Sequence, residues 1–265
     1  LLEIKLQTVT NAASQIHELI GQARKVLLIT TGQNGDHVAA TLALANTIES
    51  AERQILFATP NQIDERLLAL PGADRLNQGL APTSLVISLD YKPGSISKVS
   101  YAAEGNKFNF VITPSNGTIF SPDNVTYSYT NAGYDLIITV GVADLSLLSG
   151  LYESERRSFG QLPLINIDNS QNNSQFGKIN AINTNALTVS EVVTQVVTSS
   201  RLTLTPVAGQ LLMTGLREGT NDFTHTTPNV FETAAEISRL LSVRGESTEE
   251  RLINQPFRQE KEVKH

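Results

Sequence analysis

The residues from Leu162 to Asn180, LPLINIDNSQNNSQFGKIN, decide how the rest of the chain is read. An apolar run from Leu162 to Ile167, with β-branched Ile165 and Ile167, ends at Asp168 and gives way to Asn, Ser and Gln. A short apolar run bounded by turn formers predicts a buried parallel strand. Ligands of open α/β sheets collect just beyond the carboxyl ends of such strands, so Asp168 stands where chemistry is expected.

Outward from this stretch the same pattern repeats. Immediately upstream, YDLIITVG (Tyr134 to Gly141) predicts a strand and ADLSLLSGLYESERR the helix after it. Near the start, Ala13, Ile16, Leu19, Ile20 and Ala23 fall close to helical spacing and predict an amphipathic helix over 8–23. Val26 to Thr30 predicts a strand and Gly32 to Gly35 a turn. Asp36 is expected to cap the helix carrying Val38, Leu42 and Leu44. Gln54 to Thr59 reads as a second strand, QIDERLLALPG as a short helix ended by Pro71–Gly72, and Ser84 to Asp90 as a third strand stopping at an acid. After FGKINAINTNAL the remainder reads as helical. Thr188 and Glu191 form a capping box, TPVAGQLLMTGLREG and TPNVFETAAEISRLLSVRG follow with Pro228 at a first-turn position, and Ser247 with Glu250 starts a last helix. Strand–helix alternation over 26–168, completed by the helical part 188–253, predicts an α/β fold with a doubly wound, mostly parallel sheet.

Residues 91–134 change character. KVSYAA and KFNFVITP flank Glu104-Gly105-Asn106, which predicts a β-hairpin in a small β-rich subdomain inserted into the α/β framework. Its aromatics, Tyr101, Phe108, Phe110, Phe120, Tyr127 and Tyr129, fall at near-alternate positions and could form a contact surface, although such residues more often make a small core. The organisation expected is one domain over 1–255 and a charged tail, 256–265.

The 265 residues are enough for a sizeable core, and a net charge of -6 argues against a protein that coats nucleic acid, which needs a basic surface. With Cys 0 there is no disulfide framework, thiolate metal site or cysteine nucleophile. No apolar run approaches the roughly 20 residues of a membrane span, and the first residues lack a signal-peptide plan, so a cytoplasmic location is expected. There is no nucleophile elbow and no Walker loop. Of the four histidines, His17 reads as a solvated helical residue and His265 as part of the tail, whereas His37 and His225 lie at helix starts near the predicted cleft. Asp90, Lys178 and Arg217 read as turn or solvated residues. Gly32, Asn34, Gly35, Asp36 and His37, ahead of a helix N-terminus, form a candidate loop for holding an anion such as a small nucleotide.

Four stretches in order resemble the DHH-superfamily phosphoesterases, the RecJ-like branch that includes oligoribonucleases and phosphoadenosine-phosphate phosphatases. They are VLLITTGQNGDHVAATLALA, LIITVGVADLSLLSGLY, INIDNSQNNSQFGKINAINTNALTVSEVV and TGLREGTNDF followed by HTTPNVFETAAEI. The resemblance spans about Val26 to about Gly245 and implies the doubly wound DHH domain. It also implies two-metal phosphoester hydrolysis, usually with manganese held by Asp and His. That chemistry needs several acidic or imidazole ligands gathered around two cations. The family's ligand positions fall here on Gly32, on Asn34 or a gap, on Asp36, on Gly141, on Asp168-Asn169-Ser170 and on Gly219. Only Asp36 and Asp168 keep the ligand type. Asp144, three residues after Gly141, could reach inward or cap a helix. Relatives usually carry a second, nucleotide-gripping C-terminal domain, and this chain is expected to lack it.

Two functional readings follow. One is a DHH-fold protein that has lost most metal ligands, with Asp36, Asp168, Asn169 and Ser170 vestigial, serving as a binding or structural scaffold for another protein or a larger assembly. The other is a manganese- or magnesium-dependent phosphoesterase acting on short oligonucleotides or small nucleotides, its site remodelled around Asp36, Asp144 and Asp168. Neither involves a membrane.

Overall fold

The computed structural model describes residues 2–78, 80, 84–115, 117, 119–129 and 133–253; the tail 256–265, with His265, lies outside them. The chain divides into two compact units, Leu1–Leu80 with Tyr134–His265, and Ala81–Gly133.

The larger unit begins with α1 (Leu2–Gln22), β1 (Lys25–Ile29), α2 (Gly35–Ile48) and β2 (Gln54–Ala58). The smaller unit holds β3 (Leu85–Ser88), β4 (Ile96–Glu104), β5 (Lys107–Pro114) and β6 (Thr126–Tyr129). The larger unit resumes with β7 (Leu136–Val140), α3 (Ser149–Gln161), β8 (Leu164–Asp168) and β9 (Ile179–Ile182). It closes with α4 (Val189–Ser199), α5 (Pro206–Gly219) and α6 (Pro228–Ile253). No helix among the described residues is long and apolar enough to cross a membrane.

The five strands of the larger unit form one parallel sheet in the order β2-β1-β7-β8-β9. The α/β, doubly wound reading therefore holds. The chain leaves β1 to one side for β2 and returns to the other side at β7, which places the switch point of the sheet between β1 and β7. Val26, Leu28, Leu136, Ile138, Val140, Ile165 and Ile167 alternate onto one face, where they share a core with Ile16 and Ile20 of α1 and with α2, α4 and α5. Leu27, Ile29 and Ile137 point the other way and are equally buried. Burial on both faces is why these strands read as continuous apolar runs.

Local signals set the helix starts. The Thr188–Glu191 capping box is formed, Thr205 caps α5 ahead of Pro206, and Pro228 opens α6. Asp36 does not cap α2. Asn34 does, its side chain accepting from the His37 N–H at 3.2 Å, and Asp36 sits inside the first turn with its carboxylate free to reach elsewhere.

Four further expectations change. Ser84 to Asp90 does not supply a framework strand: β3 pairs antiparallel with β6 in the smaller unit, with Leu85 and Ile87 exposed. A four-residue apolar run carries no information about its partner, and only the tertiary pairing settles it. Ile179–Ile182 adds a fifth parallel strand beside β8. No new helix starts at Ser247, because α6 runs unbroken from Pro228 to Ile253. Of the two arrangements open to the aromatics of the small unit, the commoner one, a core, is not formed by the hairpin: β4 and β5 pair, but Tyr101, Phe108, Phe110 and Tyr127 are all more than half exposed.

Candidate functional site

The carboxyl ends of β1, β7 and β8 lie side by side at the switch point, and three loops leave the sheet there: 30–34, 141–144 and 169–173. The N-terminus of α4 and the glycine-bearing α5 complete the surroundings of Asp36.

Asp36 is buried and spans to a distant element. Its Oδ2 accepts from the Val189 N–H at 2.5 Å; its Oδ1 accepts from the Ser190 N–H at 3.0 Å and from the Ser190 hydroxyl at 2.6 Å. The carboxylate thus satisfies free amides in the first turn of α4, with favourable placement of negative charge at a helix N-terminus. Burial pushes its pKa above the usual 3.8, opposed by the Ser190 hydroxyl, the charge of His37 and the two amides. α5 comes close enough for this only because it presents glycine: a Cβ on Gly215 would strike the Ser190 hydroxyl, and one on Gly219 would lie 2.7 Å from Thr188 Cγ2.

His37 turns its ring onto the end of β7. Gly141 has φ +68, and any Cβ there would overlap the imidazole. Nδ1 is buried and has no hydrogen-bond partner among the described residues. Burial holds the ring below the ordinary histidine pKa, while the charges of Asp36 and Asp168 and the Gly141 backbone pull it back up.

Asp168 ends β8, 2% exposed, with Oδ2 accepting from Asn173 Nδ2 at 2.7 Å. Asn173 is the hub that sequence reasoning missed. Its amide also donates to the Val142 carbonyl, and its Oδ1 accepts from Asn166 Nδ2 at 3.1 Å and from the Gln175 N–H at 2.8 Å. Asn166 in turn accepts from the Thr139 hydroxyl at 3.0 Å, so a chain of polar groups runs through the buried sheet from β7 to Asp168. One signal was available: a polar Asn166 inside the apolar run LINID has to find a buried partner.

The remaining candidates are held by structure. Asn169 donates to the carbonyls of Ala186 and Leu187, tying the loop after β8 to the approach to α4, and the Ser170 hydroxyl accepts from the Asn172 N–H. Asp144 accepts from the Ser146 N–H at 2.9 Å as the cap of a short 3-10 turn, and the Ser146 contacts hold its carboxyl below the usual range. Gly32 has φ +82, and a Cβ there would meet Ile63 Cδ1 at 3.0 Å. Gly35 faces the carboxylate of Glu218, and Asn34 is exposed apart from its cap bond. His17 donates from Nδ1 to the Ser200 carbonyl, and His225, Asp90 and Lys178 are exposed; Arg217 pairs with Asp222 at 2.7 Å. His37 therefore interacts with both Asp36 and Asp168 at the switch point, and burial together with the charge of Asp36 raises the pKa of Glu191 in the first turn of α4.

The chain matches no protein-family model. It matches no curated protein sequence either. Among solved structures it is similar to an exopolyphosphatase-related protein from Bacteroides fragilis, with a TM-score of 0.58 and 13% sequence identity. The likeness covers 88% of this chain and 57% of that one, so this chain spans little more than half of the neighbour's length. The two share a fold.

Proposed function

We propose that this chain is a phosphoesterase-fold protein of the RecJ-like DHH type whose two-metal centre has been dismantled, and that it acts as a binding or structural component rather than a hydrolase. The observation that carries this reading is steric. Of the three positions where the resemblance calls for ligands and the chain has glycine, Gly141 and Gly219 are packed shut: a Cβ would overlap the His37 ring at the first and Thr188 at the second. At Gly32 a Cβ would press on the end of the Ile63 side chain. Mere loss of ligands would leave room; at Gly141 and Gly219 neighbouring side chains fill the space.

Manganese or magnesium would have to be held by Asp36, Asp144 and Asp168, and these groups do not fit the task. Both oxygens of Asp36 are committed to donors at α4, Asp144 caps a turn, and Asp168 is engaged by Asn173. Among the described residues no three His, Cys, Asp or Glu side chains are gathered as a metal-holding group. A dinuclear centre asks for more ligands than this, free and converging.

The test is a hydrolysis assay with manganese on short oligonucleotides, phosphoadenosine phosphate and cyclic dinucleotides, with inorganic polyphosphate added because the structural neighbour is exopolyphosphatase-related. No turnover above buffer is expected. Robust hydrolysis that is lost in Asp168→Ala would overturn the proposal.

A further inference from the structure

We propose that the free edge of β4 pairs antiparallel with β4 of a second copy of this chain, on a twofold axis through Tyr101. The hairpin carries an apolar surface that two strands do not cover by themselves. β4 and β5 pair only with each other among the described residues. Their register sets Val99 opposite Ile112, Tyr101 opposite Phe110 and Ala103 opposite Phe108, so these six side chains share one face. Tyr101 stacks on Phe108 at 5.7 Å and Phe108 meets Phe110 edge-on at 5.1 Å, yet Val99, Tyr101, Phe108 and Phe110 are 59%, 73%, 60% and 57% exposed. An isolated hairpin is marginally stable, and a long, proline-free, apolar edge is a template for another strand.

Backbone geometry selects the residues that can pair. Glu104 and Lys107 face each other across the two-residue turn Gly105-Asn106. The closing pair of such a hairpin exchanges its backbone hydrogen bonds, and the pattern alternates from there. Glu104, Ala102, Ser100 and Lys98 therefore turn their N–H and C=O groups toward β5, whereas Ala103, Tyr101 and Val99 turn theirs to the open edge.

Charge selects the register and the occupant. In an antiparallel self-pairing centred on Tyr101, Val99 faces the second copy's Ala103 and Tyr101 faces its own counterpart, so every outward group meets an outward group. The same register sets Lys98 opposite the second copy's Glu104, and Glu104 opposite its Lys98. Centring the pairing on Val99 or Ala103 loses both ion pairs. The β5 edge offers no equivalent: its only charge is Lys107, and Pro114 has no N–H to give. β4 is thus complementary to itself, and the result is a four-stranded sheet, β5-β4-β4-β5, with a continuous aromatic face.

The experiment uses the whole chain, which has Cys 0, so a single introduced thiol can oxidise only with another molecule. Hydrogen-bonded partners in an antiparallel pair have Cα atoms about 5.5 Å apart, inside the disulfide range. Under a diazene oxidant, Tyr101→Cys is expected to form a disulfide-linked dimer, two thiols losing two protons and two electrons to the reagent. Val99→Cys, whose thiol faces Ala103, is expected to remain largely uncrosslinked. By sedimentation the wild-type chain is expected to be a dimer and Lys98→Glu a monomer, since that change faces Glu with Glu twice. Lys98→Glu mixed with Glu104→Lys is expected to restore a heterodimer. A wild-type monomer at all concentrations would overturn the proposal. So would a dimer indifferent to Lys98→Glu, or equal crosslinking by both thiol variants.

Discussion

The imidazole of His37 lies over the Cα of Gly141 so closely that no other residue fits at position 141 without moving the ring. The contact joins the first turn of α2 to the carboxyl end of β7, across the switch point where an α/β protein of this order binds ligands. A position that the family resemblance gives to a metal ligand is here part of the packing.

Gly141→Ala should therefore destabilise the fold. The backbone at φ +68 already disfavours any side chain, and the added methyl overlaps the ring. Together these should cost on the order of 2 kcal/mol or more. The measurement is the urea midpoint. Coupling the change with His37→Ala should recover the steric part but not the backbone part, so the double variant should sit above Gly141→Ala and below wild type.

Asp36→Ala should cost about 3 kcal/mol of folding stability, because it strands the Val189 and Ser190 amides and the Ser190 hydroxyl in a buried setting. Amide hydrogen exchange should rise first at Val189 and Ser190. A variant with unchanged stability and exchange would show that α4 does not depend on this carboxylate.

Asn173→Ala should cut the polar chain at its hub, leaving Asp168 and Asn166 short of partners in the buried sheet. A loss of roughly 1–3 kcal/mol is expected. Asn173→Asp should do worse than Ala at neutral pH, since it sets a second carboxylate against Asp168; denaturant unfolding of both variants at neutral and mildly acidic pH separates the two.

Acidification should weaken the fold through His37. The unfolded chain takes up this proton near pH 6.5, whereas burial holds the folded pKa lower. Between those values the unfolded state carries more protons, so this contribution is present above about pH 6.5 and is lost as the pH falls through the window. Asp36 works in the opposite sense: its folded pKa lies above 3.8, so its contribution is present at low pH and lost as the pH rises through the folded value. Urea unfolding of wild type and His37→Gln, from about pH 8 to about pH 5, checks the histidine part. Wild type should lose stability relative to the variant on acidification.

The framework was legible in the residues because burial on both faces writes itself as apolar runs, and capping chemistry marks helix starts such as Thr188 and Pro228. The partner of a short strand was not. Leu85–Ser88 carries the same apolar signature as Gln54–Ala58, yet one pairs antiparallel in the small unit and the other lies in the parallel sheet. Asp36 and Asp168 were both found from sequence, but their partners, Val189, Ser190 and Asn173, were not. Asp36 lies 153 residues from Val189, and no local pattern encodes a hydrogen bond over that separation.

Periodicity and capping depend on near neighbours, so the residues alone establish an α/β chain with one acid at the end of β8 and another in the first turn of α2. What those acids do follows from folding. Whether a carboxylate faces a cation or the amides of a distant helix depends on groups brought together only by folding. At Asp36 those groups are the amides of α4, and at Gly141 the space is filled by His37.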